Sequence, residues 1–187
     1  SAEFSSLNYG GVMYQKTGLV FHYLKAYLGD SLFDVCMQAY FERWKFRHPQ
    51  PEDFRAVLEE VSGKDLRWLF DGLIENRAVA DYKIARVRQS TGKSFVTVKS
   101  VGRLEGPIVV QRIQNGAVAE SVWVSPSANG KKYKTVELGA SQSKFGVQKG
   151  RKITDTFVID ANRMIPEVNR NNNVWTGGGR KTTLKFG

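Results

Sequence analysis

The sequence has one cysteine and two histidines among its 187 residues. Because a disulfide needs two cysteines, Cys36 cannot form one within the chain, and a zinc site built on several cysteines is excluded too. No apolar run approaches the ~18 residues of a membrane-spanning helix, so no membrane span is expected. A charged leader followed by an apolar stretch is also missing, so no signal peptide is expected.

The two histidines are poorly placed for metal chemistry. A catalytic zinc site needs three protein ligands, two of them often one helical turn apart. His22 and His48 lie on different predicted elements, and neither has a second histidine one turn away. A serine or cysteine nucleophile paired with histidine is formally possible, but no nucleophile elbow supports it. The residues alone therefore show no complete active site.

Charge is distributed unevenly along the chain. Residues 1–79 hold 9 Lys and Arg against 11 Asp and Glu, whereas residues 80–187 hold 19 against 7. Leucine gives way to Val, Thr, Ser and Gly at the same point, which predicts a domain boundary at 76–81. The basic residues of the second half are spread over its whole length, so a solvated basic face is the interpretation and no nucleic-acid partner is expected.

Residues 1–79 have the apolar periodicity of helices. Gly29 and Gly63 predict helix ends, and Pro51 predicts a helix start. Short loops between such helices favour an antiparallel helical layer. The predicted inward stripes are Leu19, Val20, Tyr23, Leu24, Tyr27 and Leu28; Leu32, Val35, Cys36, Ala39, Tyr40 and Trp44; Phe54, Val57, Leu58 and Val61; and Leu66, Leu69, Phe70 and Leu73.

Residues 80–187 have the signature of short strands. Runs such as "YKIARVRQ", "SFVTVKSV" and "PIVVQRI" are rich in β-branched residues and are separated by turn residues. Asn115-Gly116 is the strongest hairpin signal. We predict an antiparallel, immunoglobulin-like β-sandwich with a flexible tail from Asn169 onwards. The fold class is therefore α+β, with the helices before the strands.

The stretch from "YQKTGLVFHYLKAYLG" through "HPQPEDF" to "SGKDLRWLF" resembles, in order, the segment after the zinc motif in the aminopeptidase N family. These gluzincin metallopeptidases include leukotriene hydrolase. "SVGRLEGPIVV" also resembles the β-sandwich module that follows their catalytic domain. The resemblance implies the C-terminal fragment of a zinc aminopeptidase, with the end of the catalytic domain in residues 1–79. The zinc ligands and the motif that binds the substrate amine would lie upstream.

The resemblance also assigns two site residues. Tyr14 falls on the family's catalytic tyrosine, with Lys16 matching its lysine, and Tyr9 falls on a second tyrosine that many members carry. Gln15 and Thr17 depart from the family's usual Glu and Gly. From the pattern alone, Tyr14 could equally be a packed aromatic residue at a helix start.

The implied whole enzyme removes N-terminal residues from peptides, with zinc as cofactor. Its partners would be the peptide substrate and the upstream part of the same catalytic domain. Members with such a sandwich favour a secreted or bacterial periplasmic location. The alternative is a non-catalytic protein-interaction module, in which Tyr14 belongs to the core. The isolated chain is expected to bind no zinc and to be inactive in either case.

Overall fold

The computed structural model describes residues 16–76, 78–90, 93–125, 132–139, 155–177 and 179–180. These residues form two compact units. The first holds the described residues before Ala78 together with Met164–Pro166, and the second holds those of Ala78–Arg163 and Glu167–Gly187. That the units are separate domains of a longer protein stays a prediction.

The described residues of the first unit before Ala78 form four helices. Helix α1 contacts α2 and α4, and α2 contacts α3. The last helix, α4, is wound as a π-helix, a rare geometry that the sequence did not predict. The helices are α1 (Thr17–Leu28), α2 (Asp30–Trp44), α3 (Pro51–Ser62) and α4 (Trp68–Glu75).

Local sequence signals explain where these helices begin and end. Gly29 alone joins α1 to α2, with φ 83° and ψ 156°, a conformation available almost only to glycine. Helix α3 has Pro51 at its first position, and the Asp53 carboxylate accepts a hydrogen bond from the Gln50 backbone N–H at 2.8 Å. It ends at Gly63, which is left-handed at φ 64°. The predicted ends at Gly29 and Gly63 and the start at Pro51 are confirmed.

Fewer apolar side chains are buried in the helical unit than the apolar stripes of the sequence predicted. Leu19 is 52% exposed and Val35 54% exposed, so the prediction that both face inward is wrong. Periodicity identifies an apolar face, but only neighbouring elements decide how much of it is covered. The apolar residues that are buried in this unit are Val20, Tyr23, Leu24, Leu28, Cys36, Val57, Leu58, Leu66, Trp68, Leu69, Phe70, Leu73 and Ile165.

The second unit consists of two antiparallel sheets over its described residues. One sheet has the order β1-β2-β5 and the other β4-β3-β6-β7-β8. The strands are β1 (Tyr82–Ser90), β2 (Lys93–Ser100), β3 (Ile108–Gln114), β4 (Ala117–Val124), β5 (Tyr133–Leu138), β6 (Thr156–Ile159), β7 (Val174–Thr176) and β8 (Gly179–Arg180).

Apolar side chains of both sheets form the core of this unit. Strand β1 contacts β6 and β7 of the other sheet, and β4 contacts β5. Ile84 and Val98 on one sheet and Val110 and Phe157 on the other are at most 2% exposed. The α+β class with helices before antiparallel strands is thus confirmed, while the immunoglobulin-like arrangement stays a prediction.

Two loops illustrate where local sequence was sufficient and where it was not. Asn115 and Gly116 both have positive φ between β3 and β4, as the hairpin signal predicted. The expectation of a flexible tail from Asn169 is wrong up to Thr176, because β7 pairs with β6 and Asn173 and Val174 are buried. The tail is polar in sequence, but β6 offers it an open edge to pair with. Residues 181–187 lie outside the described part of the chain.

Candidate functional site: the helical scaffold that follows Tyr14 in the chain

Tyr14 and Tyr9, the two residues assigned to catalysis, lie outside the described residues, so their positions and roles stay predictions. The description begins at Lys16, immediately before the first residue of α1. What the structure does give is the framework that holds α1, the helix that follows Tyr14 in the chain.

Aromatic packing fixes α1 against α4. Tyr23 is fully buried, and its ring centroid lies 4.6 Å from that of Trp68. Tyr27, one turn later, meets the same indole edge-on at 5.9 Å. Two consecutive turns of α1 therefore contact one large side chain, which restricts rotation of the helix about its axis.

A second aromatic group is centred on Phe54 of α3. Its ring stacks on Phe21 at 5.6 Å and meets Tyr40 edge-on at 4.7 Å and Phe70 at 6.0 Å. These three partners belong to α1, α2 and α4. One ring thus contacts each of the other three described helices of the unit, and the second turn of α1 packs against it.

Charged residues add a link between α3 and α4. The Arg55 guanidinium lies 2.6 Å from the Asp71 carboxylate and 3.3 Å from that of Glu59. Glu59 in turn accepts a hydrogen bond from the Leu66 backbone N–H at 2.9 Å, just before α4. These contacts are partly buried, so they orient α4 more firmly than exposed pairs would.

The described residues do not fit a zinc ion. Within the described ranges, no three His, Cys, Asp or Glu side chains are grouped closely enough to hold a metal. The side chains of His22 on α1 and His48 before α3 are both exposed. Also within these ranges, no helix combines the length and apolarity needed to cross a bilayer.

The second unit contains a buried charged cluster that was not predicted from the sequence. The Arg112 side chain is 7% exposed, and its guanidinium lies 3.1 Å from Glu120 and 3.9 Å from Asp155. The sequence did contain a sign of this cluster, because the polar pair Gln111-Arg112 interrupts the apolar run "PIVVQRI". Glu120 also accepts hydrogen bonds from the Gly139 backbone N–H, so the cluster ties the end of β5 to β4.

A second polar group, Glu167, was also missed. Its carboxylate accepts hydrogen bonds from the Tyr82 backbone N–H at 2.6 Å and from the Asn173 side chain at 2.5 Å. Burial raises the pKa of Glu167 to about 7, despite the opposing effect of these two donors. Glu167 holds the segment before β7 against the start of β1, which is a structural role.

Comparisons with known proteins point in one direction. Residues 3–73 match the Peptidase family M1 domain. Aminopeptidase N of Streptomyces lividans is 39% identical over 101 residues, 54% of this chain and 11% of that protein. Aminopeptidase M1-A of Oryza sativa subsp. japonica is 28% identical over 118 residues, 63% of this chain and 12% of that protein.

A solved structure resembles the fold. The crystal structure of Legionella pneumophila aminopeptidase A in complex with aspartic acid has a TM-score of 0.52 at 18% identity, covering 70% of this chain and 16% of that one. The chain therefore spans between a tenth and a sixth of the length of these three proteins.

Proposed function

We propose that this chain, whose residues 3–73 match the Peptidase family M1 domain, is the C-terminal part of a longer zinc aminopeptidase that removes N-terminal residues from peptides. The family match carries the proposal, and the similar proteins named aminopeptidases support it. The short share of those proteins that the chain spans supports the idea that it is a part.

The proposal divides the chain between two domains. Residues 1–79 would be the end of the catalytic domain and would pack against its upstream part. Residues 80–187 would be the following β domain. We further propose a secreted or periplasmic location for the longer enzyme, which the resemblance favours and fractionation of the source cells would test.

Within this proposal Tyr14 stabilises the transition state. Attack on a peptide carbonyl develops negative charge on the carbonyl oxygen. A phenol with an ordinary pKa of ~10 stays protonated at neutral pH and can donate a hydrogen bond to that oxyanion. Tyr9 would orient the substrate. The packing around Phe54 and Trp68 holds α1, the helix that follows Tyr14 in the chain. A donor acts best when its position is fixed before the reaction.

Zinc would supply an activated water in such an enzyme. Since the described residues offer no ligand set for the ion, we place its ligands upstream of this chain. The gene that encodes the chain tests this directly, since it should carry a zinc-binding His-Glu-x-x-His motif before these residues.

The activity itself is tested on the protein encoded by the whole gene. It should hydrolyse aminoacyl p-nitroanilides, lose this activity to a chelator and regain it with zinc. A full-length product without the motif and without hydrolysis would leave the interaction module as the better interpretation.

A further inference from the structure

Strand pairing gathers basic residues that looked scattered in the sequence. Lys83, Arg86 and Arg88 of β1 lie on the outer face of the β1-β2-β5 sheet, beside Lys99 of β2. Phe95 and Tyr133 lie on the same face. An open groove runs over it, lined among others by Arg86, Arg88, Phe95, Thr97, Tyr133 and Thr135. We call this outer face, with its four basic residues and the groove that crosses it, the basic groove.

A β-bulge creates the basic groove. Tyr82 and Ile84 face the core, so strict alternation along β1 would turn Arg86 and Arg88 inward as well. The register shifts between Ile84 and Arg86, which leaves Ala85 as an extra residue. After Ala85, each side chain therefore points to the face opposite to the one that strict alternation would give it. Arg86 and Arg88 point outward as a result, and both are exposed.

Within the described residues, no acidic side chain forms an ion pair with the four basic side chains of the basic groove. No described carboxylate lies within 4.0 Å of the Lys83, Arg86, Arg88 or Lys99 side-chain nitrogens, whereas Lys93, the first residue of β2, pairs with Glu137 on the same face. Lys83 also lies directly opposite Lys99 across the two strands. Like charges at this position destabilise a sheet, and such local costs are typical of binding sites.

We propose that the basic groove binds an extended acidic peptide segment whose carboxylates occupy alternate positions. Arg86 and Arg88 are two residues apart on one face, and side chains of an extended peptide repeat over the same distance. A guanidinium can also bind a carboxylate through two parallel hydrogen bonds. The proposal goes beyond the aminopeptidase function and does not depend on it.

Two features favour a peptide over other polyanions. The ammonium of Lys99 lies over the Tyr133 ring at 5.3 Å, and Phe95 is half-buried, so part of the aromatic surface on which a nucleic-acid base could stack is already covered. The surface is a groove, which admits a single chain more readily than a flat membrane.

Fluorescence anisotropy with the full 187-residue chain tests the proposal. The probe is a labelled peptide in which Glu alternates with Ser, compared with a peptide of the same composition that has all Glu residues in one block. We expect tighter binding of the alternating peptide. Arg86→Gln combined with Arg88→Gln should weaken it about tenfold.

The matched control is Arg47→Gln combined with Arg103→Gln. This variant removes the same charge from two exposed arginines outside the groove, and its affinity should stay within about twofold of the parent. Circular dichroism must show both variants folded. Equal affinity for the two peptides, or equal losses in the two variants, would overturn the proposal. Oligothymidylate binding that is tighter and lost with the groove arginines would also overturn it, in favour of nucleic acid.

Discussion

Tyr14→Phe, made in the full-length enzyme, removes one oxygen atom and keeps the ring. If the hydroxyl donates to the oxyanion only in the transition state, kcat should fall by about 10²–10³ while KM stays within a few-fold. Tyr9→Phe should cost less, because substrate orientation contributes to ground and transition states alike. Both variants must melt close to the parent. A kcat near the parental value in Tyr14→Phe would return this residue to a packing role.

Glu167 should make the second unit less stable as the pH rises. Its folded-state pKa of about 7 exceeds the ordinary 4.5, because burial disfavours the charged form. The folded state therefore holds the proton more tightly, and this stabilisation is complete below the ordinary pKa and is lost as the pH rises through 7. The expected loss between pH 5 and 8 is on the order of 1–3 kcal/mol.

Urea unfolding at pH 5 and pH 8, followed through the β-sheet circular dichroism, measures the slope of the free energy of unfolding against pH. Glu167→Gln should flatten it, although the variant loses stability at both pH values because an amide nitrogen replaces one acceptor. Glu105→Gln is the control, since Glu105 is exposed and the same charge is removed. If the Glu167 variant keeps the parental slope, another group is responsible for it.

At the scale of elements, Gly29 carries the tightest backbone requirement among the helices. Gly29→Ala should destabilise the helical unit by about 1–3 kcal/mol, because a side chain at φ 83° and ψ 156° is strained. Gly18→Ala is the matched control. Gly18 lies in α1, with nothing within 4 Å of an added Cβ, so its replacement should be neutral or stabilising by up to about 1 kcal/mol. Thermal melts at 222 nm compare the two, and similar melting temperatures would contradict the strain at Gly29.

Elements whose limits are set by local chemistry were predictable from the sequence. The ends of α1 and α3 depend on Gly29, Pro51 and Gly63, and each needs only its own turn. Strand β7 and the bulge at Ala85 depend on the register with a partner strand, which is β6 for β7 and β2 for the bulge. The pattern within one strand does not contain this register.

The candidate site follows the same division. Tyr14 was predicted through an ordered likeness to a family and not through its surroundings, so its role stays a prediction. The Arg112 cluster needed three strands to be aligned before Glu120 and Asp155 could be recognised as partners. Long-range register, which no short window of sequence contains, decides such contacts.

At the scale of the whole molecule, the isolated chain should bind no zinc tightly and hydrolyse no aminoacyl substrate. His22 and His48 lie far apart in the sequence, and within the described residues no three His, Cys, Asp or Glu side chains are grouped closely enough for the usual three-ligand catalytic site. Elemental analysis after zinc challenge and metal-free dialysis measures the bound metal. Stoichiometric zinc retained by the chain would count against the upstream placement of the ligands.

The bulge in β1 determines which single-residue deletions the strand can tolerate. Loss of the Ala85 codon would leave Ile84 facing inward and Arg86 next to it facing outward, so the alternation would become regular with both arginines still in solvent. Loss of the Val87 codon also shortens the strand by one residue but forces an arginine inward: Arg88 if the bulge at Ala85 persists, and Arg86 if the bulge is lost and the alternation becomes regular. An arginine turned into the core without a partner costs several kcal/mol. We expect the first deletion to melt within a few degrees of the parent and the second to fail to fold, so the strand tolerates a missing codon at one site and not two sites further on.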